Sequence, residues 1–220
     1  YQTIMPPVRG EHCAYGDTGV VIYSNSVCGA RSNFEGGPSA LSAGLTGRTP
    51  RYGYHLDEHR LATLVVQTSY TPRELNEWGA LGGLVGRLAG DYWQVPVVVG
   101  LDRVPGSDEM KHFGAAAASY GSLALFHTAG ITPEAQRLED VVPSGVSLRT
   151  HDLGEADVRK FQQSYVTAVD NAVDLVVFSA PQLSLVEMQE VAGLLDGRRA
   201  TIPLLAITSP QIKPDADRMG

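Results

Sequence analysis

The sequence predicts a layered α/β fold, a parallel or mixed sheet with helices on both faces, arranged as two subdomains. Short β-branched runs alternate with helix-like stretches from Leu61 onward. Helix-start signals stand between those runs, at strand–helix–strand spacing. A polar, turn-rich connection from Pro133 to about Leu153 separates the last such unit, dividing 1–150 from 151–220.

The elements follow in order. Residues 19–23 read as a short apolar strand running into Ser24, Asn25 and Ser26. Polar groups would then sit at its C-terminal end, the edge where open α/β sheets bind ligands. Residues 39–45 read as a short helix ended by Gly47, and residues 63–67 as a strand. Thr71, Pro72 and Glu74 form a capping-box pattern opening a helix to about Ala89. A strand at 95–101 precedes a helix from Ser107 through the small-residue run 115–118. Residues 122–126 read as a strand leading to His127. Beyond the connection, 155–171 reads as a helix and 173–178 as a buried strand. Ser184 and Glu187 make a second capping box, and 202–207 a closing strand, so this unit is read as a right-handed βαβ.

Composition narrows the function classes. Of 220 residues, 43% are hydrophobic and 19% charged, which is neither disordered nor membrane-like. The apolar runs are too short to cross a bilayer, and no signal-peptide pattern opens the chain, so a cytoplasmic protein is expected. A net charge of -7 argues against nucleic acid as a partner. Cys13 and Cys28 are too few for a disulfide framework or a four-thiolate cluster, and reduced thiols are expected. The chain opens on Tyr1 and closes on Gly220, and is read as an internal piece of a longer protein.

Chemistry-bearing residues concentrate in the first sixty positions. His55 and His59 could share a helix face for a metal, yet Leu56 stands where a zincin has Glu; a hydrogen-bonded pair supported by Asp57 and Glu58 is the alternative. Glu11, His12, Asp17 and Thr18 lie in a Gly-flanked loop able to hold and deprotonate a polar substrate, or simply to cap a turn. Asn25, Ser26, Arg31, Ser32, Asn33 and Glu35 are the richest set. Arg31 offers a planar fork for a carboxylate, with neutral hydrogen-bonding groups around it. An internal partner such as Glu35 is the alternative for that guanidinium. Phosphate-loop, Rossmann and nucleophile-elbow patterns are missing.

These residues also carry a resemblance. RGEH at 9–12, NSVCGARSNFEGG at 25–37, LTGRTP at 45–50, YGYHLDE at 52–58, KHFGA at 111–115 and GITPE at 130–134 resemble the aconitase X family. The resemblance implies an aconitase-like fold and a dehydratase with iron or an iron–sulfur cluster whose ligands lie largely outside this segment. It also implies a swivelling small domain or subunit as partner, carrying a catalytic serine. A family Gly-Cys-Pro-His element reads Ser179-Ala180-Pro181-Gln182 here, so that cysteine ligand is absent. The expected reaction is dehydration of a small hydroxylated carboxylic acid, cis-3-hydroxy-L-proline to Δ1-pyrroline-2-carboxylate. Arg31 with Asn25 or Asn33 would clamp the carboxylate, Ser32 and Glu35 would touch substrate, and Asp17, Thr18 and Ser26 would handle protons. The alternatives are a lyase acting on mevalonate 5-phosphate, disfavoured because no phosphate cradle is visible, and a non-catalytic segment lacking its metal centre.

Overall fold

Asp17 decides the first element. Its carboxylate accepts a hydrogen bond from the Val20 amide at 2.9 Å, capping helix α1 (Thr18–Ser26). The β-branched run expected to be a strand is therefore helical. Every residue from Val21 to Ser26 is buried, so packing on all sides overrides strand propensity. Helix α2 (Gly36–Thr46) ends at Gly47, whose φ of 64° is the left-handed C-terminal turn that glycine permits. The computed structural model describes residues 5–165 and 172–219.

The main sheet is parallel throughout, in the order β3-β2-β1-β4. Its strands are β1 (Leu64–Thr68), β2 (Pro96–Val99), β3 (His127–Thr128) and β4 (Arg149–Leu153). Val65 faces Val97 on one side and Thr150 on the other. Helix α3 (Leu75–Ala89) connects β1 to β2 and α4 (Ser107–Gly121) connects β2 to β3. The capping box of α3 sits further along than expected: Glu77 accepts from the amides of Arg73 and Glu74 at 2.8 and 3.2 Å. Thr71 instead accepts from the Asp102 amide at 2.9 Å, and Pro72 precedes the helix. The third strand is also displaced; residues 123–126 are buried, but the ladder forms at His127 and Thr128.

β4 falls inside the stretch read as a polar connection. It adds to the free edge of β1, and helix α5 (Glu155–Gln163) packs on α3, with Arg87 lying 4.4 Å from the Phe161 ring centroid. The first body consequently runs from Pro6 to Ser164 rather than ending near residue 150. The second consists of Tyr165–Gly220 with Tyr1–Met5. In it, β5 (Val176–Phe178) and β6 (Leu204–Ala206) pair in parallel around α6 (Leu185–Leu195), followed by α7 (Lys213–Met219). Ser184 caps α6 as expected, accepting from the Glu187 amide at 3.2 Å. The strand expected to be buried is half-exposed at Val177, as the two strands of this sheet among the described residues leave its faces open. Residues 166–171 of the expected helix lie outside the described residues.

α3 and α4 meet backbone to backbone. A Cβ on Gly82 would collide with the Phe113 carbonyl, and one on Gly86 would lie 2.6 Å from the Ala117 oxygen. Gly82→Ala should therefore destabilise the protein by about 1–3 kcal/mol, despite alanine's better helix propensity. The urea midpoint of the full-length variant checks this; an unchanged or higher midpoint would mean the helices separate freely.

Candidate functional site

The site grows from a short parallel pairing. Arg31 donates its amide to the Glu11 carbonyl, and Cys13 donates to the Arg31 carbonyl, each at 2.8 Å. His12 and Arg31 thus lie side by side in register. Behind them, Asn33 fastens the 3-10 turn at Gly53–His55. Its Oδ1 accepts from the Tyr54 amide at 2.9 Å and the Tyr92 hydroxyl at 3.2 Å, while its Nδ2 donates to the Tyr52 carbonyl at 3.1 Å. Gly53 is required there: its φ is 58°, and a Cβ would strike the Asn33 amide. The turn delivers His55 to the back of an open cleft of about 920 Å³.

Arg31, His12, Arg48, Arg51, His55 and Glu58 are among the cleft's walls. Arg31 donates through Nη1 to the His55 carbonyl at 2.9 Å and through Nη2 to Asp57. Its internal partner is thus Asp57, not Glu35. Asp57 is 87% exposed, and the Arg31 guanidinium holds its carboxyl below the usual range. Such an exposed pair contributes little to stability, and Arg31 keeps donors for a ligand.

The other expected site residues take different positions. Asn25 is buried: Nδ2 donates to the carbonyls of Ser32 and Ala124, and Oδ1 accepts from the Ser32 amide, each at 2.8 Å. Ser26 Oγ accepts from the Phe126 amide at 2.9 Å, and Ser32 is buried with its hydroxyl on the Asn33 carbonyl. These polar groups are satisfied by the protein itself, not by a ligand. Asp17 caps α1, Thr18 is the exposed first residue of that helix, and neither lines the cleft. Glu35 lies beneath the cleft wall with its side chain 3% exposed, accepting from Ser39 and Thr49 at 2.7 and 3.3 Å.

His55 and His59 do not share a helix face. The extended backbone of Leu56 splits two 3-10 turns, burying His55 and leaving His59 exposed against Trp93, with ring centroids 5.7 Å apart. Among the described residues, no three His, Cys, Asp or Glu side chains gather as a metal site. Burial pushes both the Cys13 and Cys28 thiols up, away from the thiolate a metal needs. The residues present do not fit an iron or iron–sulfur ligand set.

Sequence reasoning missed Arg60. Its guanidinium is buried, ion-paired to Glu134 at 2.9 Å, and donates to the Tyr54 and Asn25 carbonyls at 2.9 and 3.0 Å. The Arg60 carbonyl faces His127 Nε2 at 2.7 Å, so that nitrogen carries the hydrogen. Nothing local marks such a hub, because its partners lie far along the chain.

Burial holds both His55 and His127 below the ordinary histidine value, and the Arg60 guanidinium acts the same way on each. Each is neutral in the fold and protonates more readily when unfolded. Their contribution to stability is therefore complete above about pH 6.5 and lost as pH falls below it. The denaturation midpoint should be flat from about pH 8 to 7 and fall towards pH 5.5, with His127→Gln reducing that fall. A midpoint indifferent to pH across this window would show that neither ring is held neutral.

Comparison with known proteins agrees with this architecture. The aconitase X first domain model matches residues 1–58 and the second domain model residues 62–163. The chain is 38% identical over 217 residues to the phosphomevalonate dehydratase large subunit of Methanothermobacter thermautotrophicus, covering 97% of this chain and 51% of that protein. It is 32% identical over 215 residues to the cis-3-hydroxy-L-proline dehydratase of Pseudomonas aeruginosa, covering 96% and 37%. The crystal structure of Thermococcus kodakaraensis aconitase X in its holo-form superposes with a TM-score of 0.86 at 34% identity, covering 97% of this chain and 54% of that one. The chain thus spans about half the length of its phosphomevalonate dehydratase relatives. With both domain models in sequence order and the fold matched across nearly its whole length, the chain belongs to the aconitase X family.

Proposed function

We propose that this chain forms the substrate-binding wall of a hydro-lyase that dehydrates a small hydroxylated carboxylic acid. The observation that carries the reading is Arg31 in the cleft wall, in register with His12, with unused guanidinium donors. Dehydration needs a clamp on the carboxylate, a base for the neighbouring carbon-bound proton, and a route for the hydroxyl to leave as water. Arg31 is suited to the first as a planar two-point donor. The relatives' names support the reaction class, since both groups are dehydratases.

The sequence reading favours cis-3-hydroxy-L-proline, whose carboxylate would need one clamp and whose ammonium an acidic group, expected from Asp17 or Glu35; neither lines the cleft, where Glu58 would take that part instead. A specific observation favours mevalonate 5-phosphate instead. Arg48 and Arg51 line the same cleft as Arg31, so guanidinium groups outnumber the carboxylates of Asp57 and Glu58. A substrate with two anionic groups, a carboxylate and a phosphate, suits that balance better than a zwitterion does. The identity of 38% to a phosphomevalonate dehydratase large subunit points the same way. We therefore take mevalonate 5-phosphate as the leading substrate and cis-3-hydroxy-L-proline as the second. The relatives named as large subunits support a small domain or subunit as the partner that closes the cleft.

In the full-length protein with its partner, Arg31→Lys should reduce kcat/KM by about 2–4 kcal/mol of transition-state stabilisation while leaving the fold intact. Lysine keeps the charge but loses the two-point geometry. Mass spectrometry of product from each substrate, for native protein and variant, tests both claims. Turnover of neither compound would sink the dehydratase reading, and an unaffected variant would make Arg31 structural.

A further inference from the structure

Two neighbours of unequal firmness hold the Arg31 guanidinium. Nη1 donates at 2.9 Å to the carbonyl of His55, a buried residue in the 3-10 turn that Asn33 fastens. The Arg31 main chain is bonded to Glu11 and Cys13, each at 2.8 Å, so the side chain is aimed from both ends without further help. Asp57, which takes Nη2, is the loose member. Its backbone is set by the next 3-10 turn, where the Arg60 amide donates to the Asp57 carbonyl at 3.0 Å, but its carboxylate stands largely in solvent. Water solvates that carboxylate as soon as it lets go, so release costs no more than an exposed ion pair is worth. The Arg31 guanidinium holds the Asp57 carboxyl below the usual range, which keeps it ionised at neutral pH. Arg48 and Arg51 line the same cleft and are exposed. Neither of their guanidinium groups makes a hydrogen bond or ion pair among the described residues.

From this arrangement we infer that Asp57 sets the selectivity of the cleft, as a built-in competitor that a substrate carboxylate must displace from Arg31. The inference rests on the clamp role proposed for Arg31, not on which substrate is turned over. A guanidinium grips a carboxylate at two points along either of two edges, Nη1 with Nη2 or Nε with Nη2. Both edges use the nitrogen that Asp57 holds. A second carboxylate there would meet Asp57 at close range, two negative charges on one positive, and the pair would repel. Displacement therefore weakens every carboxylate ligand by the same factor. A ligand with a carboxylate alone then binds too weakly to fill the cleft. A ligand whose second anionic group reaches Arg48 or Arg51 offsets the loss, because those guanidinium groups have no internal partner to give up. Asp57 thus screens out simple carboxylic acids and leaves the cleft to substrates with two anionic groups.

The test compares the native full-length protein and its Asp57→Asn variant, each with the partner, using acetate and mevalonate 5-phosphate as probes. Asparagine keeps the shape of aspartate and loses its charge. Acetate is titrated at constant ionic strength and followed through the Nε–H signal of ¹⁵N-labelled arginine that Arg31→Lys removes. Its dissociation constant should be about 2–5-fold lower in Asp57→Asn, the factor that an exposed ion pair is worth. That gain should survive a rise in ionic strength from about 0.05 to 0.3 M, which screens a mere change in the field of the cleft. In the assay, KM for mevalonate 5-phosphate should fall by the same factor, with kcat and the thermal midpoint unchanged. An acetate constant that is unchanged or higher in Asp57→Asn, or a gain that salt abolishes, would overturn the inference. So would a lower kcat, which would make Asp57 a support that orients Arg31. Absence of turnover in both proteins would sink the dehydratase reading alone, and the acetate titration would still decide the role of Asp57.

Discussion

The buried guanidinium of Arg60 is the interaction on which the first body depends. Its ion pair with Glu134 is 2.9 Å long, its Nη atoms reach Asn25 and Tyr54, and its carbonyl accepts from His127. One residue thus joins the end of α1, the 3-10 turn at Gly53–His55 and the loop after β3 through its side chain, and β3 itself through its carbonyl. A buried charge of this kind is tolerated only when every donor finds an acceptor. That requirement explains why so many polar residues crowd a largely apolar interior. Asn25 and Asn33 then fix the two segments that present Arg31 and His55, so the cleft is built on internal amide bonds rather than on a ligand.

Sequence patterns were most legible where local chemistry decides the structure. α4, α6 with its Ser184 cap, and the Gly47 terminus all lie close to where capping and glycine signals place them. They failed where distant partners decide. The Val20–Ile22 run is intrinsically strand-like, yet Asp17 caps it and enclosure on all sides makes it helical. β4 is polar and mostly exposed along Arg149–Leu153, so no hydrophobic alternation announces an edge strand. Arg60 reads as one charged residue before a strand, with its acceptors far along the chain.

The site shows the same division. The polar set around Arg31 was visible as an unusual density of hydrogen-bonding groups, and Arg31 does line the cleft. Density alone did not separate groups that face the cleft from groups that hold its walls. Asn25, Ser26, Ser32 and Asn33 are satisfied by backbone partners, whereas His12, Arg48, Arg51 and His55 reach the cleft. The chain covers about half the length of its phosphomevalonate dehydratase relatives.

The most direct test of this account is the urea unfolding of the full-length Arg60→Met variant, measured beside the native protein. Methionine fills similar space but leaves Glu134 and the carbonyls of Asn25 and Tyr54 without their donor. The variant should lose about 3–5 kcal/mol at unchanged m-value. A variant as stable as the native protein would contradict it, and would mean that the cleft walls are held by something other than the Arg60 network.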